Sequence, residues 1–240
     1  MKVLAWLASF AVMVTMAATP AVAEAREQTL TSDQVSEVNA FFDTYGVSRH
    51  TQALLIERWE AGDAWDSMNG SPPVSTGTIA GRSTTTQVQR FADGSVAVSS
   101  VENGTSFSVG GVTPMSVGGC TTVVSGLNRT KTNCLVKASV GVMEITFWAE
   151  YKYAYAVATD AWVKSASITR VWNPTGRVIG GTFADLGLAL NRKVATNANP
   201  ANARASMIAY GVGGVYAETV WVDLMVPCGG YPLVYSRQWM

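Results

Sequence analysis

A strict alternation of side-chain types along one stretch constrains this chain to a mainly β fold. In "VMEITFWAEYKYAYA", residues 142–156, the odd positions from Ile145 to Tyr155 are apolar or aromatic, and most even positions from Glu144 to Lys152 are polar. Successive side chains of a strand point to opposite faces of a sheet. The period of two therefore predicts one long strand with a buried face and a mostly polar face.

The chain after residue 84 contains further strand patterns. Asp93-Gly94 lies between two alternating runs, which is among the strongest local signals for a β-hairpin. A last antiparallel pair is predicted to be joined at Gly213-Gly214. Eight to ten strands with glycine-rich turns and no intervening helices predict an antiparallel β-sandwich or barrel over residues 78–240. Besides residues 142–156, the later predicted strands are 162–172, 177–190, 204–214 and 215–226.

Two short helices are predicted before the strands. Thr31-Ser32-Asp33 is a cluster of capping residues, and apolar residues at helical spacing follow it until Gly46. Ser48 is placed to cap a second helix, which Gly62 ends. Neither helix is long enough to be stable alone in water. We therefore expect the two-helix segment, residues 27–62, to dock on the β domain.

The segment between the helices and the strands is predicted to be an extended linker, residues 63–77. Asn69-Gly70 and Pro72-Pro73 both disfavour regular structure within it. The predicted organisation is therefore a two-helix segment, a linker and one β domain.

The start of the chain has the three-part layout of a secretory signal peptide. Lys2 precedes an uncharged, largely apolar run, and small residues surround a predicted cleavage site after Ala23, with Ala25 as the alternative. The apolar run is shorter than the roughly 20 residues that span a bilayer, which favours a signal peptide, residues 1–23, over an anchor. No later segment is long and apolar enough to cross a membrane as a helix. We expect a secreted, extracellular protein with no transmembrane helix after cleavage.

The chain has three cysteines, Cys120, Cys134 and Cys228. Ser125-Gly126 and the β-branched residues around it predict a strand, a turn and a strand between the first two, which brings them within bridging range. Thiols outside the cytoplasm tend to be oxidised, so we predict a disulfide between Cys120 and Cys134. A metal clip is disfavoured because the only histidine, His50, lies far away in the chain. Cys228 is then left as a thiol.

Composition and motifs disfavour several classes of ligand. Lys+Arg and Asp+Glu number 17 each, and only 14% of residues are charged, which argues against a nucleic-acid or anionic-lipid partner. No glycine-rich phosphate loop, histidine pair at metal-binding spacing, C-x-x-C motif or acidic calcium loop is present. We therefore expect no cofactor and no metal.

The ionisable side chains do not form a catalytic pattern. His50 is predicted in the first turn of a helix, where polar side chains normally face water. Glu144 and Glu150 share one strand face but would lie about 20 Å apart, against the roughly 5–10 Å of an acid/base pair. Glu218 and Asp223 fall on opposite faces of their strand. No catalytic residue is assigned, and an enzyme is the less favoured class.

Four residues are candidates for binding. Trp148 projects from the polar face of its predicted strand beside Glu150, and Trp162 and Trp172 lie at the two ends of another predicted strand. An exposed tryptophan flanked by charge can stack on a sugar ring or anchor a protein partner. The alternative is that these tryptophans fill the core of the sandwich or lie under loops.

The segment from Cys120 to Val136, with the spacing C-x13-C-x-V, leads into the aromatic strand "FWAEYKYAYA". This arrangement resembles a group of secreted actinobacterial proteins with no assigned function. The resemblance spans roughly residues 85–240 and includes a similar bias towards Ala, Val, Gly and Thr. It implies a secreted β-sandwich and no known activity, and it assigns no functional residue.

Three functions follow as hypotheses. The leading one is a non-catalytic extracellular protein that binds a cell-wall or other extracellular polysaccharide, another surface, or a protein partner. The alternative is a secreted hydrolase of glycans that uses strand carboxylates. The third is a membrane-active β-rich toxin, because an amphipathic strand such as residues 142–156 could line a pore.

Overall fold

The computed structural model describes most of the chain beyond residue 28. The predicted signal peptide, residues 1–23, lies outside the described residues. Of residues 105–108 the structure describes the backbone alone. The described ranges are residues 29–81, 83–103, 105–108, 119–156, 163–214, 217–229 and 232–236.

Both predicted helices are present, as α1 (Ser32–Thr44) and α2 (Arg49–Glu60). Thr31 forms a capping box with Gln34, since its hydroxyl accepts from the Gln34 amide at 3.3 Å and its own amide donates to the Gln34 side chain at 2.9 Å. The hydroxyl of Ser48 accepts from the third residue of α2 in the same way. These side chains satisfy amide groups that the first turn of a helix leaves free.

The described residues form twelve β-strands, which confirms the prediction of a mainly β fold. The bounds are β1 Ser75–Ala80, β2 Thr84–Arg90, β3 Val96–Glu102, β4 Thr105–Ser108, β5 Thr121–Ser125, β6 Asn128–Ser139, β7 Met143–Tyr155, β8 Val163–Val178, β9 Thr182–Arg192, β10 Ala201–Tyr210, β11 Ala217–Val226 and β12 Leu233–Ser236.

The strands form two sheets, arranged as in a sandwich. In the larger sheet, β6 pairs on one edge with β3 and β5 and on the other edge with β7, which in turn pairs with β8. Strands β1 and β2 extend this sheet beyond β3, and β4 extends it beyond β5. The smaller sheet has the order β12-β11-β10-β9. All described pairings are antiparallel except that of β4 with β5.

The core lies between the two sheets. The odd positions of β7 up to Tyr153 are buried as the alternation predicted, with Ile145, Phe147 and Tyr151 fully inaccessible to solvent, whereas Tyr155 at the end of the strand is partly exposed. The buried face of β10 is mostly alanine, from Ala201 to Ala209. Small side chains on β10 leave room for the large ones of β7, and close packing of this kind is the usual state of a protein interior.

Strand β8 differs from the prediction of two separate strands, 162–172 and 177–190. The strand continues through Asn173-Pro174, and the turn falls at Ile179–Gly181 instead. Thr146 pairs with Thr175 and Trp148 pairs with Trp172, so Asn173 and Pro174 together lie opposite a single residue of β7. This arrangement is a β-bulge. A bulge leaves one residue out of the ladder hydrogen bonds, so it tolerates a proline, which has no amide hydrogen. Asn-Pro therefore does not end the strand here.

The two helices pack against the end of the sandwich, at three turns between strands. A methyl group added at Gly94 would lie 2.5 Å from Cγ2 of Thr51, and one at Gly180 would lie 2.4 Å from Cδ2 of Leu30. At the third turn, Gly141 lies against the rings of Phe41 and Trp65. The predicted docking of the helices on the β domain is therefore confirmed.

The segment predicted as a linker is built into this contact. Trp65 is fully buried, and its indole nitrogen donates to the main-chain oxygen of Leu55 at 2.6 Å. The amide of Ser67 donates to the hydroxyl of Ser95 at 3.0 Å. Strand β1 begins at Ser75, inside the range predicted as linker. The segment has no regular structure before β1, but it is not a free tether.

The predicted disulfide joins Cys120 and Cys134 at the base of the β5–β6 hairpin. The carboxylate of Glu102 lies beside it and accepts hydrogen bonds from the amides of Cys120 at 3.1 Å and Leu135 at 3.0 Å. A covalent bond and two charge-assisted hydrogen bonds therefore fix the start of the hairpin against β3. Cys228 is a free, half-buried thiol.

Candidate functional site

The outer face of β7 and β8 brings together three of the four predicted binding residues. Trp148 lies directly opposite Trp172 in the pairing of the two strands, and Glu150 lies directly opposite Arg170. The two tryptophans and Glu150 are partly exposed, and Arg170 is exposed. The fourth predicted residue, Trp162, lies outside the described residues.

Two of the three register shifts in β8 are bulges that place these side chains. One lies at Asn173-Pro174, and the other lies at Thr169, where Glu150 pairs with Arg170 but Tyr151 pairs with Ile168. Each bulge shifts the alternation of β8 by one residue. Between the bulges, Arg170 and Trp172 project to the same side as Glu150 and Trp148, since opposite residues of paired strands share a face. Bulges are frequent next to functional sites because they re-aim side chains.

Contacts within the cluster hold its polar members in place. The guanidinium carbon of Arg170 lies 4.9 Å from the centroid of a Trp172 ring, which is a cation–π contact. The hydroxyl of Thr169 donates to a carboxylate oxygen of Glu150 at 2.8 Å. Leu135 of β6 lies opposite Trp148 on its other side. We call this cluster the aromatic face; it consists of Leu135, Trp148, Glu150, Arg170 and Trp172.

The surroundings of the aromatic face are polar with balanced charge. The hydroxyls of Thr146 and Thr175 are 2.6 Å apart. Lys137 forms an ion pair with Glu144 on the same outer face. Paired charges and hydroxyls favour a neutral ligand over a strongly charged one.

A second cluster on the outer face of the smaller sheet was not found from the sequence. Arg204 donates from Nε at 2.7 Å and from Nη2 at 2.6 Å to the two carboxylate oxygens of Asp223. Its guanidinium carbon lies 4.0 Å from the ring centroid of Trp221. The hydrogen bond with Asp223 raises the pKa of Arg204. The Asp223 carboxylate is buried and the Arg204 side chain is partly exposed, so this cluster is a partly buried ion pair that links β10 to β11.

One cavity lies between the ends of the two sheets. It has a volume of about 320 Å³, and its described lining includes Met68, Ser139, Met143 and Ser236. Glu218 is the one ionisable side chain among the described lining residues. Asp223 lies on the other face of β11, as predicted, so the two carboxylates do not form a pair there.

The remaining candidates for catalysis are not assembled into a site. His50 is exposed in the first turn of α2. Glu144 is engaged by Lys137, and Glu150 by Thr169. Among the described residues, no three His, Cys, Asp or Glu side chains group closely enough to hold a metal ion. Neither of the helices in the described ranges has the length and apolar character to cross a membrane.

Comparisons with models of protein families, with curated proteins and with solved structures give no match.

Proposed function

We propose that this protein is a secreted, non-catalytic binding protein that contacts its ligand through the aromatic face. The observation that supports the proposal is the pairing of Trp148 with Trp172 between two bulges, flanked by Glu150 and Arg170. Tryptophan and arginine are the residue types that most often dominate binding energy. Trp148 and Trp172 lie on an outer sheet surface instead of in the core, and both are partly accessible.

The ligand class that this chemistry favours is a neutral extracellular polysaccharide. The apolar faces of sugar rings stack on indole rings, and sugar hydroxyls exchange hydrogen bonds with carboxylates and guanidinium groups. Directly opposite residues of antiparallel strands have Cβ atoms about 4.5–5.5 Å apart, so Trp148 and Trp172 form one continuous platform. The aromatic face is the outer surface of paired strands, which suits an extended polymer. A protein partner is the other source of such contacts, and the test distinguishes the two.

Co-sedimentation of the exported protein with insoluble polysaccharides and isolated cell walls tests the proposal. We expect the protein to pellet with one neutral polymer, and Trp148→Ala or Trp172→Ala to weaken binding by about 30-fold, as for a residue worth about 2 kcal/mol. Phe183→Ala, at an exposed aromatic residue of β9, is the matched control and should bind normally.

Two outcomes would contradict this proposal. Binding that is unchanged in both tryptophan variants would remove the aromatic face as the site. Failure to pellet with any polysaccharide, together with retention on a protein component of the cell wall, would replace the glycan by a protein partner. Circular dichroism of each variant establishes that the fold is intact before binding is compared.

The other hypotheses stay predictions. The carboxylates predicted for a glycan hydrolase are dispersed and engaged by neighbours, so no described geometry supports that alternative. Leakage of dye from liposomes would test the toxin hypothesis. Secretion and the resemblance to secreted actinobacterial proteins are also part of the proposal. Mass spectrometry of the exported protein tests secretion, with an N-terminus after Ala23 expected.

A further inference from the structure

Strand β1 is an unprotected sheet edge. All six of its residues are exposed and uncharged, and it pairs with β2 without a register shift. Natural edge strands are usually protected by charge, proline, bulges or short length, because an open edge can pair with another strand. The regular, neutral β1 has none of these protections within its own length.

The other described edges do have such protections. Strand β8 contains Lys164, Arg170, Pro174 and three register shifts in its pairing with β7. Strand β9 has irregular pairing with β10 and a residue of positive φ, Asp185. Strands β4 and β12 are four residues long. The contrast singles out β1 as the edge that is suited to accept another strand.

The hydrogen-bonding pattern shows which groups of β1 are available. The amide of Gly81 donates to the oxygen of Thr84 at 2.8 Å, which closes the turn to β2. Hydrogen-bonded pairs alternate along antiparallel strands, so Ser75, Gly77 and Ile79 are the residues that bond to β2. The amide and carbonyl groups of the three intervening residues, Thr76, Thr78 and Ala80, point away from the sheet. No described strand pairs with them.

We propose that β1 pairs antiparallel with β1 of a second copy of this chain, about a two-fold axis at Thr78. In this register Thr78 lies opposite Thr78 of the second copy, and Thr76 lies opposite Ala80. The outward amide and carbonyl groups of these residues then form hydrogen bonds across the axis. An isologous contact of this kind uses the same surface on both copies and closes as a dimer.

The side chains of β1 fit this register. Ile79, which is 59% exposed, lies opposite Gly77 of the second copy. A methyl group added at Gly77 would have no atom within 4 Å, so the space above it is open. Gly77 also borders a groove of about 340 Å³, lined in part by Tyr45 and Val88. Each Ile79 therefore enters the groove beside Gly77 of the other copy, where its apolar surface is buried.

Charge does not oppose the contact. Strand β1 has no ionisable side chain, so two identical copies meet without repulsion between like charges. Arg90 also borders the groove, but its guanidinium donates to the main-chain oxygen of Tyr45 at 2.5 Å and is held at the side. The protruding Ile79 and the open space beside Gly77 belong to the same strand, so two copies of β1 complement each other. This favours a second copy over an unrelated strand.

Sedimentation equilibrium of the full exported protein tests the proposal. We expect the wild-type protein to shift from monomer to dimer as its concentration rises. Thr78→Lys places two ammonium groups opposite each other at the axis, and Gly77→Val fills the space that Ile79 needs. Both variants should be monomeric at concentrations where the wild-type protein is dimeric. Ser165→Lys, at an exposed position of β8, adds the same charge on another edge and should dimerise normally.

Two results would overturn the proposal: a wild-type protein that is monomeric at every concentration, or dimers that persist in both β1 variants. A valine is favoured in strands and has open space at position 77, so Gly77→Val keeps the fold testable even if Thr78→Lys does not. The dimer is independent of the proposed binding function, since a monomer could still bind through the aromatic face.

Discussion

Trp59 of α2 donates a hydrogen bond of 3.0 Å from its indole nitrogen to the main-chain oxygen of Ile179, at the turn between β8 and β9. The side chain of Trp59 is fully buried. The bond joins residues 120 positions apart in the chain, so the helical segment and the β domain share one core. Helices of this length are stabilised mainly by such tertiary packing.

Substitution of Trp59 should therefore destabilise the whole protein. Trp59→Phe keeps most of the apolar volume but leaves the Ile179 oxygen without its partner, which costs about 1–3 kcal/mol. Trp59→Ala should cost about 3–5 kcal/mol in the free energy of unfolding. Urea denaturation measures both, with exposed Leu54→Ala as the near-neutral control. Proteolytic release of a folded 78–240 fragment with unchanged stability would refute the shared core.

Removing one member of the Arg204–Asp223 pair should be more damaging than removing both. Asp223→Leu leaves a guanidinium without its two charge-assisted hydrogen bonds, and we expect a loss of about 2–3 kcal/mol. The double variant Arg204→Met, Asp223→Leu should recover much of this loss, because apolar side chains of similar size replace the pair. Thermal or urea unfolding of the wild-type protein, Arg204→Met, Asp223→Leu and the double variant measures the coupling. Strictly additive effects would show that the pair does not act as a unit.

The hydroxyl of Tyr153 is buried and, among the described residues, has no hydrogen-bond partner. An unsatisfied buried polar group lowers stability, so Tyr153→Phe should raise the free energy of unfolding by about 1 kcal/mol at neutral pH. Tyr151→Phe is the matched variant, because the hydroxyl of Tyr151 donates to the main-chain oxygen of Glu102 at 3.4 Å. It should give no gain. An equal gain in both variants would show that the Glu102 contact contributes nothing.

Stability should fall at alkaline pH. Burial raises the pKa of Tyr151 and that of Tyr153, so both stay protonated in the folded protein above the ordinary tyrosine pKa of about 10. The unfolded chain loses these protons as pH rises through about 10, which favours unfolding. Burial lowers the pKa of Lys131, which acts in the opposite direction. Urea unfolding between pH 9 and 11 should show a smaller loss for Tyr153→Phe than for the wild-type protein.

Local sequence patterns predicted the elements that are determined by residues close together in the chain. The capping residues of α1 and α2, the Asp93-Gly94 hairpin and the alternation of β7 all depend on neighbours in the chain, and each is present. The disulfide between Cys120 and Cys134 also follows from one local hairpin. Short-range geometry determines all of these features.

Features that depend on the register between strands could not be predicted. The bulges of β8 at Thr169 and at Asn173-Pro174 are visible only in its pairing with β7, and they decide that Trp172 lies opposite Trp148. The contact of Arg204 with Asp223 likewise requires the register of β10 and β11. Burial of Trp65 depends on where the helices dock. The sequence indicated the aromatic residues of the candidate site but not their assembly.

The disulfide should contribute to stability through the loop that it closes. Cys120 and Cys134 are 14 positions apart, and a loop of this length corresponds to roughly 3 kcal/mol. A reducing agent should lower the urea midpoint of the wild-type protein but not that of the Cys120→Ala, Cys134→Ala double variant. Cys228→Ala, at the free half-buried thiol, should still respond to reductant. A double variant as stable as the oxidised wild-type protein would show that the disulfide does not contribute to stability.

The proposed dimer and the proposed function together predict bivalent binding. A two-fold axis that pairs antiparallel edge strands runs perpendicular to the sheet, so both aromatic faces lie on the same side. Two linked sites can raise the apparent affinity for a polymer by about 100-fold without any new contact. Thr78→Lys should therefore weaken binding to an insoluble polysaccharide and leave binding to a short soluble oligosaccharide unchanged. Co-sedimentation measures the first and calorimetry the second, with Ser165→Lys as the control. Equal losses for the polymer and the oligosaccharide would mean that Thr78→Lys disturbs the aromatic face itself, and would contradict bivalency.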